Sequence, residues 1–164
     1  FAKELVSFIK NYNPKFCLGV AGYPEGHPES AILELDIKYL KEKVEAGGEY
    51  IITQLFFDNK DFFNFQDKCQ KEGIKVPIIP GIMPITSLKQ IKKITKICGA
   101  TIPAKLLSEL ENNPDKVSEI GIRQAVSQCK ELLSKGVPGL HFFVLNQSGP
   151  ISQILRELKF GHPR

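Results

Sequence analysis

The chain is poor in the features that announce chemistry on their own. Its cysteines, Cys17, Cys69, Cys98 and Cys129, lie far apart and none forms a CxxC pair. That spacing excludes a zinc knuckle or a dithiol redox motif and fits free thiols in a reducing compartment, so a cytoplasmic location is expected. No apolar run approaches the roughly 20 residues of a membrane helix, and no signal peptide opens the chain, so no membrane is expected as a partner. Basic residues exceed acidic ones by only four, 22 against 18, with the lysines spread along the chain. A nucleic-acid footprint would be more concentrated. There is no HxxxH or acidic-cluster spacing to suggest a metal. A GxSxG elbow, a P-loop and a Rossmann fingerprint are all missing as well.

What is present is the composition of a soluble globular domain, 42% apolar and 24% charged. A chain of 164 residues buries roughly 68–70% of its unfolded surface, enough for one core. Short apolar runs alternate with amphipathic stretches. Residues 16–23 (FCLGVAGY), 50–57 (YIITQLFF), 76–83 (VPIIPGIM) and 140–145 (LHFFVL) are nearly continuous and rich in β-branched and aromatic residues, as strands covered on both faces are.

Between them the period becomes helical. Ile32, Leu35, Tyr39, Leu40 and Val44 form one stripe; Phe62, Phe65 and Cys69 a second; Leu88, Ile91, Ile94 and Ile97 a third. Val117, Ile120, Ala125, Cys129, Leu132 and Leu133 mark a longer fourth helix, and residues 2–11 a helix before the first strand. Gly47, Gly73, Gly99 and Gly136 follow amphipathic stretches, where a left-handed cap is wanted. Ser30 and Thr86 are placed to cap helix starts, and Pro103 and Pro114 stand at first-turn positions. Strand alternating with helix predicts an α/β fold with a parallel sheet of right-handed units. Four such units make either a small doubly wound sheet or about half of a (β/α)8 barrel, which takes ~250 residues.

In both architectures function gathers at the C-terminal ends of the strands. After the first strand, Tyr23, His27 and two carboxylates, Glu25 and Glu29, precede a helix start, a place that favours a ligand phosphate. The plainer alternative is a turn whose Glu29 serves the helix dipole. Asp36 and Lys43 are seven apart on the following helix and share a face, suited to sugar hydroxyls and a phosphate, or simply to solvent. Gln54 sits inside an apolar run, where its amide must find partners; it either grips a flat heterocycle or is a satisfied core amide. Pro77, Pro80 and Pro84 stiffen the third strand. Lys89, Lys92, Lys93 and Lys96 read as a solvated face, and His141, opening a strand, as lying near the face opposite the chemistry.

Residues 21–29 (AGYPEGHPE), Asp36, Lys43, Ala46-Gly47, residues 52–58 (ITQLFFD), 79–84 (IPGIMP) and 140–143 (LHFF) occur in one order and spacing. In these motifs the chain closely resembles the methylenetetrahydrofolate reductase family. The resemblance implies a flavoprotein (β/α)8 barrel, a TIM barrel, that uses FAD and NADH or NADPH to reduce 5,10-methylenetetrahydrofolate in one-carbon and methionine metabolism. It covers strands five to eight, so residues 1–164 are expected to form a single partial domain, the C-terminal half of that barrel. It further implies that Tyr23, His27 and Glu29 belong to a loop facing FAD, that Asp36 and Lys43 lie along its adenosine and pyrophosphate, and that Tyr39 takes a neighbouring position. Gln54 matches a glutamine that meets the pterin and the nicotinamide in turn, and Gln90 a second folate-contacting glutamine.

Three departures shape the expected activity. The family's catalytic glutamate, on its first strand, has no counterpart here, and neither has its flavin-holding Arg-Gly-Asp segment. Phe143 and Gln147 stand where the family usually has a tyrosine and an arginine. Phe1 in place of an initiating Met leads us to expect that a native N-terminus is missing, and the early end suggests a bacterial-type form without a regulatory domain. The chain alone is therefore expected to be inactive, with no catalytic residue of its own, and to pair with itself or with a missing N-terminal half. The alternatives are a flavin-free folate-binding barrel enzyme and a non-catalytic, self-associating half-barrel.

Overall fold

Each apolar run yields one strand, and all pair in parallel in the order β1 (Gly19–Gly22), β2 (Tyr50–Leu55), β3 (Ile78–Ile82), β4 (His141–Phe142). The computed structural model describes residues 2–28 and 32–159. Helices α1 (Ala2–Tyr12), α2 (Leu33–Glu45) and α3 (Asn59–Lys71) alternate with the first strands as the periodicity requires. The connection from β3 to β4 is longer than a simple crossover. It runs through α4 (Leu88–Cys98), α5 (Ala104–Asn112), a 3₁₀ turn (Pro114–Lys116) and α6 (Val117–Ser134), and α7 (Ser148–Glu157) follows β4. The α5 helix belongs to none of the expected stripes; only Pro103, at its N-cap, announced it.

Two apolar clusters hold these elements. The larger joins Val20, Ile51, Ile78 and Ile82 of the sheet to Ile37 and Leu40 of α2, Phe62 and Phe65 of α3, Ile122 and Cys129 of α6, and Ile154 of α7. The smaller gathers Leu55, Phe57, Met83 and Ile85, where β2 and β3 leave the sheet, with Ile91 of α4, Leu106 and Leu110 of α5, and Ile120 of α6. Helices α4 and α5 thus form a cap seated on the strand exits, while α6 packs with the main core.

Several local expectations are corrected. The buried stripe of α2 is Ile37 and Leu40, with Val44 packed beside them, whereas Ile32 and Tyr39 are exposed. Ser87, not Thr86, caps α4, its Oγ accepting from the Gln90 amide at 3.3 Å; Ser30 lies outside the described residues. Gly47, Gly73, Gly99 and Gly136 take the positive φ expected of caps. The strands are not covered on both faces: Gly19 and Ala21 of β1 are exposed, and Tyr50, Ile52 and Gln54 of β2 only half-buried. His141 is level with Gly81 and Phe142 with Ile82, so the short β4 puts His141 near the strand exits and not at the opposite end. Among the described residues no helix is long and apolar enough to cross a membrane, and all four thiols are free.

Candidate functional site

The first group forms where β1 meets α2. The Ala21 carbonyl accepts a hydrogen bond from Lys43 Nζ at 2.7 Å, and the His27 amide donates to Asp36 Oδ2 at 2.6 Å. Two side chains spaced two helical turns apart therefore tie α2 to the strand exit and to the loop beyond it. That loop turns at Tyr23–Gly26 and brings the Tyr23 and His27 rings edge to face, centroids 4.7 Å apart. Burial pushes the Tyr23 phenol above its ordinary range, and the charge of Asp36 adds to the effect, so it remains a donor. Burial also lowers the Lys43 ammonium, against the pull of Asp36. The lysine has two further protons to donate and Asp36 a second oxygen to accept. Glu29 lies outside the described residues. Tyr39 is on the same helix, 52% exposed.

The second group forms at the end of β2, and Pro80 explains its shape. Ile52 pairs with Ile79 but Leu55 with Gly81, three steps on β2 against two on β3. Pro80 has no N–H for the ladder, and the extra residue makes a bulge beside it, as bulges accommodate proline within sheets. The Gly81 amide turns instead to the buried Thr53 hydroxyl at 2.9 Å. Only glycine fits there, since a Cβ at residue 81 would lie 2.2 Å from the Thr53 carbonyl oxygen. Gln54 falls in the bulge, half-buried, its Oε1 accepting from the Leu55 amide at 2.9 Å. Its Nε2 has no hydrogen-bond partner among the described residues.

Beyond the bulge, α6 holds the emerging chain. Gln128 Nε2 donates to the Phe56 carbonyl at 2.9 Å and Gln124 Nε2 to the Phe57 carbonyl at 3.3 Å. Asn59 Nδ2 donates to the Gln128 carbonyl at 3.1 Å and to Glu131 at 2.8 Å. These amides were not singled out from sequence; the one available signal was glutamine at i and i+4 beside the apolar stripe of an amphipathic helix. Cys69 and Cys129 are buried nearby, and burial drives both thiols to about 12, so neither serves as a nucleophile.

The third group is a cleft between the β3–α4 and β4–α7 connections. Met83, Ile85, Ile91, Ile94 and Phe143 line it with Thr86, Gln90 and Gln147. Its polar lining is entirely uncharged. Lys89, Lys92, Lys93 and Lys96 are exposed, as expected, and Lys92 pairs with Glu111.

The register relates the groups to one another. Gly22 pairs with Thr53, so Tyr23 and Gln54 are each one residue beyond that pair, at the same end of adjacent strands. Asp36 and Lys43 join Tyr23 and His27 there. Gln90 lies at the exits of the other two strands, in a cleft that Gln54 does not line.

A family model described as methylenetetrahydrofolate reductase matches residues 1–159. The chain is similar to a Caenorhabditis elegans protein named probable methylenetetrahydrofolate reductase (NADPH), with 39% identity over 96% of this chain and 24% of that protein. It is 38% identical to methylenetetrahydrofolate reductase (NADH) 1 of Arabidopsis thaliana, over 96% of the chain and 29% of the relative. It is 36% identical to 5,10-methylenetetrahydrofolate reductase of Pectobacterium carotovorum, over 90% and 50% respectively. The chain thus spans between about a quarter and half of these relatives' lengths. A solved protein of Clostridium thermocellum, described as uncharacterized and as binding two copies of 5-methyl-5,6,7,8-tetrahydrofolic acid, shares the fold with a TM-score of 0.65 at 24% identity, over 93% of this chain and 56% of that one.

Proposed function

The chain belongs to the methylenetetrahydrofolate reductase family, and from that premise we propose that it forms strands five to eight of a (β/α)8 barrel reducing 5,10-methylenetetrahydrofolate to 5-methyltetrahydrofolate with NADH or NADPH through FAD. The observation that carries the reading is the common end of Tyr23, His27, Asp36, Lys43 and Gln54. Functional groups of parallel α/β proteins collect at the C-terminal strand ends. The half-open sheet face agrees, because Tyr50 and Ile52 need a cover that further strands of a barrel supply. So does the folate bound by the Clostridium thermocellum relative.

The residues fit a flavin nucleotide. Lys43 offers its remaining donors to a phosphate oxygen and Asp36 its second oxygen to a ribose hydroxyl. The Tyr23–His27 pair presents an aromatic wall, and Tyr39 stands exposed on α2. When bound, FAD supplies a two-electron carrier between the pyridine nucleotide and the folate. Gln54 pairs its carboxamide with the amide edge of a pterin or a nicotinamide, and Gln90 borders the second, uncharged part of the folate site. Phe143 and Gln147 make that border apolar and neutral. The protein acts in the cytoplasm, where its four thiols stay reduced.

The isolated chain is inactive on this reading, since a placed general acid contributes about 10²–10⁴-fold and the family's catalytic glutamate has no counterpart in this sequence. The open edges of β1 and β4, with exposed Leu5, Phe8 and Tyr12 on α1, favour pairing with a second copy or with an N-terminal half. Anaerobic titration of the chain with FAD, followed by NADH, tests this. Flavin fluorescence quenches on binding in the parent and is weakened in Lys43→Met, without bleaching by NADH. Rapid bleaching with methylenetetrahydrofolate-dependent reoxidation overturns the inactive-half reading, and equal FAD binding by Lys43→Met overturns the nucleotide assignment.

A further inference from the structure

The loop carrying Tyr23 and His27 is bound to a part of the chain 76 residues away. The Glu25 carboxylate accepts the Thr101 amide with both oxygens, at 3.1 and 2.9 Å. Thr101 stands in the link between α4 and α5. Pro28, from the same loop, packs beneath Gly99 of that link, where a Cβ would lie 3.1 Å from Pro28 Cγ. The loop therefore touches the cap at two points.

Charge attraction does not explain this placement. Burial is the main effect disfavouring the ionised Glu25, Asp61 and Asp58 add to it as like charges, and only the hydrogen bonds from Thr101 act the other way. Asp67, Lys68 and Lys71 line the same groove, and Lys68 is already paired with Glu34 at 3.5 Å. What holds Glu25 is directional: the Thr101 amide points at it.

We infer that Glu25 is a positioning residue, a strut that fixes the α4–α5 cap, and with it Gln90, relative to the loop bearing Tyr23 and His27. The cap is packed on its own apolar cluster, apart from the main core. Its seating therefore depends on the β2 and β3 exits, on the start of α6 through Val117, Ile120 and the Arg123–Glu109 pair, and on this link. Movement of one side reaches the other through Glu25, so the nucleotide side and the folate side of the site are set at a fixed spacing. The identities of those two sides rest on the function proposed above; the strut itself does not.

Amide hydrogen exchange on the chain without ligand separates the two questions. In Glu25→Ala, exchange at Thr101 and across residues 99–104 rises roughly tenfold, the scale of a lost hydrogen bond to a charged acceptor, while β2 and β3 amides keep their rates. Glu25→Gln keeps an acceptor oxygen at the same reach and stays within about threefold of the parent. Glu25→Asp keeps the charge but not the reach, and behaves as the alanine variant. Unchanged exchange at Thr101 in Glu25→Ala, a uniform rise over all amides, or rescue by aspartate and not by glutamine each overturns the strut. Failure of FAD or folate to bind the chain overturns the functional reading and leaves this result standing.

Discussion

Gly121 lies in the body of α6 at the point where that helix crosses the exit of β3. A Cβ at this position would lie 1.9 Å from the Ile85 carbonyl oxygen and 2.7 Å from its carbon. Two effects oppose each other in Gly121→Ala. Helix propensity favours alanine by about 0.8–1.0 kcal/mol. Relieving the contact needs a shift of roughly 1.5 Å to reach ordinary van der Waals separation, and the obstacle is backbone rather than the end of a flexible side chain. Overpacking of this kind costs about 1–3 kcal/mol and sometimes more, and a carbonyl wedged this closely belongs at or beyond the upper end. We therefore expect a net loss of about 2 kcal/mol or more, a large share of the 5–15 kcal/mol typical of a domain. Gly149 supplies the control. It lies in α7 with nothing within 4 Å of a built Cβ, so Gly149→Ala is expected to gain about 0.5 kcal/mol. Urea denaturation followed by circular dichroism measures both. If Gly121→Ala is as stable as the parent, the seating of α6 against β3 is wrong, and so is the position of Ile85 in the Gln90 cleft.

Three further outcomes follow from contacts elsewhere in the fold. Gln128→Leu removes the donor to the Phe56 carbonyl, in a place where Gln128 is 4% exposed; stranding that acceptor costs about 1–3 kcal/mol, read as a lower urea midpoint with faster exchange of the amides after Gln54. If Gln128→Leu leaves both unchanged, the α6 clamp on β2 carries no weight. Lys43 titrates below its ordinary value of 10.5 because of burial, and Asp36 pulls it upward, so Asp36→Asn lowers it further, as NMR titration of the lysine Cε resonance will show. Because the folded value is depressed, the unfolded chain holds the extra proton between the folded and the unfolded value. Lys43 therefore adds stability as pH rises through that window, a rise that Lys43→Met lacks; an equal slope in the two proteins contradicts the burial argument.

The placement of Glu25 and Gln128 shows where sequence reading stops. Both act on backbone groups far along the chain, Thr101 and Phe56, and no local periodicity encodes a hydrogen bond between elements that meet only after folding. Gln54 was visible because a lone amide in an apolar run needs an explanation nearby. Asp36 and Lys43 were visible because seven residues bring two side chains onto one helical face.

The alternation of short apolar runs with helical stripes was enough to predict four parallel strands, because continuous apolar runs and a 3.6-residue period are properties of the chain before it packs. Glycines at the helix ends and the resemblance of the strand-exit motifs were legible for the same local reason. Only the packed structure decided that α4 and α5 sit as a cap on the strand exits and that Pro80 throws β2 into a bulge at Gln54. It also decided that Asp36 and Lys43, expected to face a nucleotide, hold backbone groups of the loop after β1 and of β1 itself. Those are choices among contacts between distant segments, and the energies that settle them exist only once burial has brought the segments together.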